Sequence, residues 1–142
     1  MSTSTVWRFW LPPILWTALI FTASSASFSS VHTADWLATL INAIAGHPIA
    51  PDWFAVVHSA IRKAAHLTEY GILSALLLRA FRAESSRKWD LRWALAAVAI
   101  SAAVAGLDEW HQLFVPGRSG SPYDVMLDTI GAALAQVLFF RT

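Results

Sequence analysis

The stretch DEWHQLFVPGRSGSPYD, residues 108–124, lies between two strongly apolar runs and holds four of the nineteen charged residues of the chain, with His111 and Gln112 among them. Read as one polar loop, it only separates two helices. Read as two helix ends joined by a turn, it carries carboxylates into a helical bundle. Helical spacing favours the second reading. If the preceding helix continues through it, Asp108, Glu109 and Gln112 fall within about a 100° arc shared with Ser101 and Ala105. Trp110 and Phe114 point the other way, and His111 sits at the border of the polar arc. Gly117, Gly120 and Pro122 supply turn chemistry. Asp124 and Asp128 then lie four apart on one face of the next helix, with Gly131 one turn further in and the helix dipole favouring both carboxylates.

The surrounding composition sets the solvent of that bundle. The chain has 142 residues, 56% hydrophobic and 13% charged, where soluble domains carry about 25% charged residues. One all-α domain spanning 1–142 and embedded in a membrane is expected. The absence of cysteine excludes a disulfide framework, a thiolate nucleophile and a Cys-ligated metal. A net charge of +1 without a basic stripe gives no support for nucleic-acid binding.

A spanning helix needs about 20 mostly apolar residues. Four segments come close, at approximately 6–23, 61–81, 91–112 and 124–140. The first contains Pro12 and Pro13 near its start, where they would kink or reset the helix. It also has a rival reading, since Arg8, an apolar core and the small residues Ser24 and Ala26 resemble a secretory signal with its cleavage site. The third is rich in Ala with Ser101 and Gly106, and the fourth has Gly131 and Ala135 at small-xxx-small spacing, both suited to close helix packing. Lys and Arg orient the set. With both termini in the cytoplasm, Arg8, Arg79, Arg82, Arg87, Lys88, Arg92 and Arg141 lie inside, and only Arg62, Lys63 and Arg118 lie outside. Trp7, Trp10, Trp53, Trp89, Trp93 and Trp110 near segment ends read as an interfacial belt.

The first outer connection contains a short amphipathic helix, with Trp36, Leu37, Leu40, Ile41 and Ile44 at helical spacing behind Thr33 as a cap and ahead of Gly46, His47 and Pro48. It either lies at the interface or packs over the bundle mouth. From Asp52 the pattern turns helical again and runs into the second segment. There Arg62, Lys63, His66, Glu69 and Tyr70 share about a 120° arc, with His58 one turn earlier. Charged residues at that depth must face protein or a wet cavity.

Three uses of these polar faces stay open. They can be a network of interhelical ion pairs and hydrogen bonds that fixes register. They can hold an anionic headgroup, with Arg62, Lys63 and Arg118 as donors oriented by Glu69 and Asp108. They can be catalytic, with His66 as general base beside Glu69 or Asp108, although no motif for covalent catalysis is present. His66, Glu69, Asp108, Glu109 and His111 are metal-ligand types, but their spacing matches neither HExxH nor Glu-x-x-His, so no metal and no cofactor is assigned.

Taken together, RKAAHLTEYGIL (62–73) and LDEWHQLFVPGRSGSPYDVMLDTIGA (107–132) resemble the VanZ-like family of small bacterial membrane proteins. The matching positions are Lys63, His66, Tyr70, Asp108, Glu109, Gln112, Pro116, Arg118, Asp124 and Gly131, and the Ser-rich end of the first segment also fits. Asp128 stands where that family more often has Asn, which adds a charge. The resemblance implies a multi-pass protein of the bacterial cytoplasmic membrane, in a family named for a member associated with low-level resistance to the glycopeptide teicoplanin. It implies no known reaction. The expected partners are membrane lipids and a lipid-linked envelope precursor, bound at an outward-facing polar cavity.

Overall fold

The computed structural model describes residues 3–25, 30–47, 50–115 and 120–140. They form α1 (Thr3–Ala23), α2 (Ser30–Ala45), α3 (Pro51–Arg82), α4 (Leu91–Gln112) and α5 (Pro122–Phe140), with no strand among the described residues. Three helical stretches, Val6–Ala23, Leu91–Gln112 and Pro122–Phe140, are long and apolar enough to cross a membrane, as a multi-pass membrane protein requires. The second segment expected from the sequence lies within α3, which is too polar to stand with those three.

Local chemistry explains the helix bounds. Pro51 opens α3 at a position whose N–H needs no partner, and Asp52 sits in its first turn. The helix then runs unbroken for 32 residues, about 48 Å, so its first turns project beyond the other helices. His58 stacks on Phe54 in this projection at 5.9 Å and does not join the polar face below. The Asp90 carboxylate caps α4 by accepting from the Arg92 N–H at 2.9 Å. Gly46, at φ +71°, ends α2 and donates its N–H to Asn42 O. Two local expectations are corrected. The helix α2 starts at Ser30, so Thr33 lies inside it and does not cap it. The helix α1 does not reset at Pro12 and Pro13 but continues through both, since their missing N–H groups remove few hydrogen bonds.

α3 is the central element. It packs most extensively on α5, next on α4 and then on α1, while α2 touches it only lightly. Its interior face is large, with Tyr70, Leu73 and Leu77 buried, and the facing sides of α4 and α5 are small, with Ala94, Ala97, Ala105, Ala132 and Ala135. Large side chains on α3 fit onto small ones on α4 and α5, which lets the three helices approach closely. Gly71 and Gly131 mark where the α3 and α5 backbones meet most closely. Gly106 does not take the matching role in α4, because an added Cβ there would meet nothing within 4 Å.

The bundle is apolar outside and polar inside. Leu15, Leu19, Leu95, Leu107, Leu134 and Leu138 are exposed, whereas Ser74, Ser101, Asp108, Glu109, Gln112, Asp128 and Gln136 are buried. Such a surface suits lipid, where water would penalise it. The two ends also differ in charge. Arg8 and Arg79 flank the ring of Phe9 at 5.8 and 5.4 Å, and Trp89 packs on Phe140 at 4.9 Å, so the start of α1, the 83–90 connection and the end of α5 share one end. The end of α1 and the start of α5 share the other.

Candidate functional site

At that second end, four helices converge through polar side chains. α4 contributes Asp108, Glu109 and Gln112 because Asp108 and Glu109 each lie three or four residues from both Ala105 and Gln112, on the stripe that begins at Ser101. Trp110 and Phe114 are exposed, as lipid-facing residues would be. Gln112 donates its amide to Asp108 Oδ2 at 3.0 Å and to Glu109 Oε1 at 3.3 Å. Ser24, at the end of α1, donates its hydroxyl to the same Asp108 oxygen at 2.8 Å. The Ser121 N–H, just before α5, donates to Glu109 Oε2 at 2.7 Å. One carboxylate thus ties α4 to α1, and the next ties α4 to α5.

α3 and α5 are joined by two rungs one turn apart. Arg62 donates to Asp124 Oδ2 at 3.2 Å, in a partly exposed ion pair. His66 Nδ1 faces both oxygens of Asp128, at 3.2 and 3.4 Å, with Asp128 0% exposed. An imidazole N–H donating to a carboxylate fixes both the tautomer and the ring orientation. The acidic partner of His66 is therefore Asp128, where Glu69 or Asp108 was expected. Deeper in the bundle, Gln136 of α5 donates to Ser74 O at 3.0 Å and to Ser74 Oγ at 2.7 Å. This third rung was not singled out from the sequence, although Ser74 follows Tyr70 by four and Gln136 follows Asp128 by eight, along the same two faces.

The structure does not gather every expected residue. Lys63 is exposed and has no ion pair among the described residues. Glu69 is half-buried at the α1 side, where its backbone carbonyl accepts from Trp16 Nε1 at 2.9 Å. Tyr70 is wholly buried and its hydroxyl has no hydrogen-bond partner among the described residues. Asp108 Oδ1 is likewise buried without a partner. His111 is exposed, packs against Phe21 at 6.2 Å and lies outside the cluster. Arg118 and Pro116 lie outside the described residues. Ser24 was weighed in the sequence only as part of a cleavage signal and as an end of the first segment, and its bond to Asp108 had no local signature because it spans 84 residues.

Chemically, the described cluster is rich in acceptors. Asp108, Glu109, Asp124 and Asp128 converge, with Arg62 and His66 as their cationic or cation-capable partners. His66, Glu109 and Asp128 each present a ligand atom within 4.8 Å of the others. The family model described as VanZ/LLP1 matches residues 9–141. No curated protein and no solved structure matches the chain.

Proposed function

From the premise that the chain belongs to the VanZ/LLP1 family, we propose that it is a four-span cell-envelope protein that binds the headgroup of an anionic lipid or lipid-linked cell-wall precursor. In this reading the fourth span is the 61–81 part of α3, whose Arg62 and His66 pair with Asp124 and Asp128 of α5. Both termini and the basic 83–90 connection are cytoplasmic, in keeping with the positive-inside rule, and the polar cluster opens outward. A role in glycopeptide resistance, teicoplanin included, fits that placement, because cell-wall precursors are exposed on the outer side.

The observation that carries the reading is the position of Lys63. The carboxylates beside it are engaged with Arg62, His66, Gln112, Ser24 and the Ser121 N–H, whereas Lys63 is exposed at the rim. A phosphate or carboxylate at the rim would meet the lysine ammonium. On another face of α3 an open groove of about 440 Å³, lined by Trp16, Ile61, Ala65, Thr68 and Ile72 with Glu69 on its wall, is apolar enough to suit an acyl chain. Native mass spectrometry in mild detergent tests this. The wild type is expected to carry an anionic lipid, and Lys63→Ala and Arg118→Ala are expected to lose it on the order of tenfold with an unchanged elution profile. Lipid retained at wild-type levels in both variants rules the reading out. A reporter fused within 83–90 is expected to read as cytoplasmic; an external reading would put the cluster on the wrong side.

The His66–Asp128 contact favours a second reading, a membrane enzyme acting on a lipid-linked substrate. A carboxylate-held imidazole has its other ring nitrogen available as a general base. Turnover that survives His66→Ala would exclude it.

A further inference from the structure

We infer that His66, Glu109 and Asp128 form a binding site for a divalent transition-metal ion of the zinc type, a site that the sequence spacing does not disclose. The three residues come from α3, α4 and α5, and one ligand atom of each lies within 4.8 Å of the others. An ion with bonds of 2.0–2.2 Å in tetrahedral geometry separates its ligand atoms by about 3.4 Å. His66 Nδ1 and Asp128 Oδ1 already stand 3.2 Å apart. Glu109, whose ligand atom lies within 4.8 Å of the other two, completes the set by drawing in by at most about 1.4 Å.

Charge balance is the first independent support. Asp108, Glu109 and Asp128 are all buried, while Arg62 is spent on Asp124. Against three carboxylates, the contacts described in their midst supply a single imidazole. Even with that ring charged, two negative charges remain in excess among the described residues. Buried charge of one sign is costly unless protons or a cation neutralise it, and with His66 neutral as a ligand a divalent ion offsets two of the three negative charges. The second support is a pair of polar atoms beside the site that have no partner among the described residues. Tyr70, one turn from His66 on the same face, is 0% exposed with an unpartnered hydroxyl, and that hydroxyl lies in the field of Asp108, Asp128 and Glu109. Asp108 Oδ1 is buried and unpartnered as well. Buried polar atoms in native proteins rarely go without partners. Three protein ligands leave a metal position open to water or to a ligand oxygen, and a water held there gives Tyr70 O–H an acceptor and Asp108 Oδ1 a donor. Gln112 and the Ser121 N–H already hold the Glu109 carboxylate from behind, as outer-shell partners hold metal ligands.

The site is one imidazole and two carboxylates, which suits zinc or manganese and excludes the thiolate sites of softer ions. The test is elemental analysis of tag-free protein purified in mild detergent and dialysed against micromolar Zn²⁺. Wild type is expected to hold about one ion per chain. His66→Ala and Asp128→Asn are expected to fall to the detergent blank, whereas His111→Ala, which removes an exposed histidine outside the triad, keeps the ion. Wild type at the blank level overturns the assignment, and so does equal loss in the His66 and His111 variants. If His66→Ala yields no folded protein, thermal unfolding of the wild type decides. A midpoint raised by Zn²⁺ and lowered again by EDTA supports the site, and an unmoved midpoint overturns it.

Discussion

Gly131→Ala is expected to abolish most of the folded, monodisperse protein, whereas Gly106→Ala is expected to leave it intact or slightly stabilised. Both glycines lie inside predicted spans and look alike in the sequence. A Cβ at Gly131 would run into the carbonyl oxygen of Leu67 and stand 2.9 Å from its Cα and 3.0 Å from its carbonyl carbon. Those are backbone atoms of a long helix, so no rotamer change relieves them. The α3 and α5 axes would have to separate, and Gly71, whose own Cβ position is 3.4 Å from Gly131 O, sits at the same contact. Separation also loosens the rungs above and below, His66–Asp128 and Gln136–Ser74. Overpacking of a tight core costs about 1–3 kcal/mol, and a backbone clash that loosens two polar rungs belongs at or above the upper end. At Gly106 an added methyl meets nothing within 4 Å, and Ala is the better helix former by about 1 kcal/mol. The check is the monodisperse fraction after detergent extraction together with the unfolding midpoint. Equal behaviour of the two variants would mean that the α3–α5 contact is not where the stability resides.

The pair also shows what the sequence can and cannot disclose. Helices were legible wherever periodicity was strong. The polar stripe through Asp108, Glu109 and Gln112 followed from helical spacing alone, as did the shared face of Asp124 and Asp128. Small residues flagged close packing in general, but only the three-dimensional register separates Gly131, pressed on Leu67, from Gly106, which meets nothing. Partners across helices were hidden for the same reason. The bonds Ser24–Asp108, Arg62–Asp124 and His66–Asp128 span 84, 62 and 62 residues, and no local pattern encodes such distances. His66 was visible as a histidine on a polar face; that its carboxylate is Asp128 was not. The grouping of His66, Glu109 and Asp128 was hidden because a motif search looks along one helix, while these residues come from three.

Polar burial explains why a bundle this rich in alanine holds one register. Between helices in lipid, apolar contacts alone discriminate poorly among sliding arrangements, because lipid tails are as apolar as the side chains they replace. Three rungs between α3 and α5, at Arg62, His66 and Ser74, fix that pair at successive heights. Ser24 and Trp16 then dock α1 onto α4 and α3 through one hydrogen bond each. The same network that fixes register also collects carboxylates at one end, so a structural role and a ligand-binding role draw on the same residues.

The His66–Asp128 rung is where those two roles can be separated. With metal removed by chelator, His66→Ala is expected to destabilise the protein by about 3–5 kcal/mol, the cost of leaving a buried charged group without its partner, since Asp128 is 0% exposed. Asp128→Asn alone is expected to cost only about 1 kcal/mol, because its amide oxygen still accepts from His66 Nδ1. Combining the two changes is expected to recover at least about 2 kcal/mol relative to His66→Ala, because the stranded charge is gone. Unfolding in detergent for the four proteins of this cycle measures the coupling. A His66→Ala cost below 1 kcal/mol that Asp128→Asn does not alter would show that the rung contributes nothing to the fold. Asparagine at 128 thus keeps the hydrogen bond and removes the anionic ligand. If Asp128→Asn loses no more than about 1 kcal/mol in chelator and fails to gain stability from Zn²⁺, the carboxylate at 128 serves the ion and the hydrogen bond serves the bundle, two functions carried by one side chain.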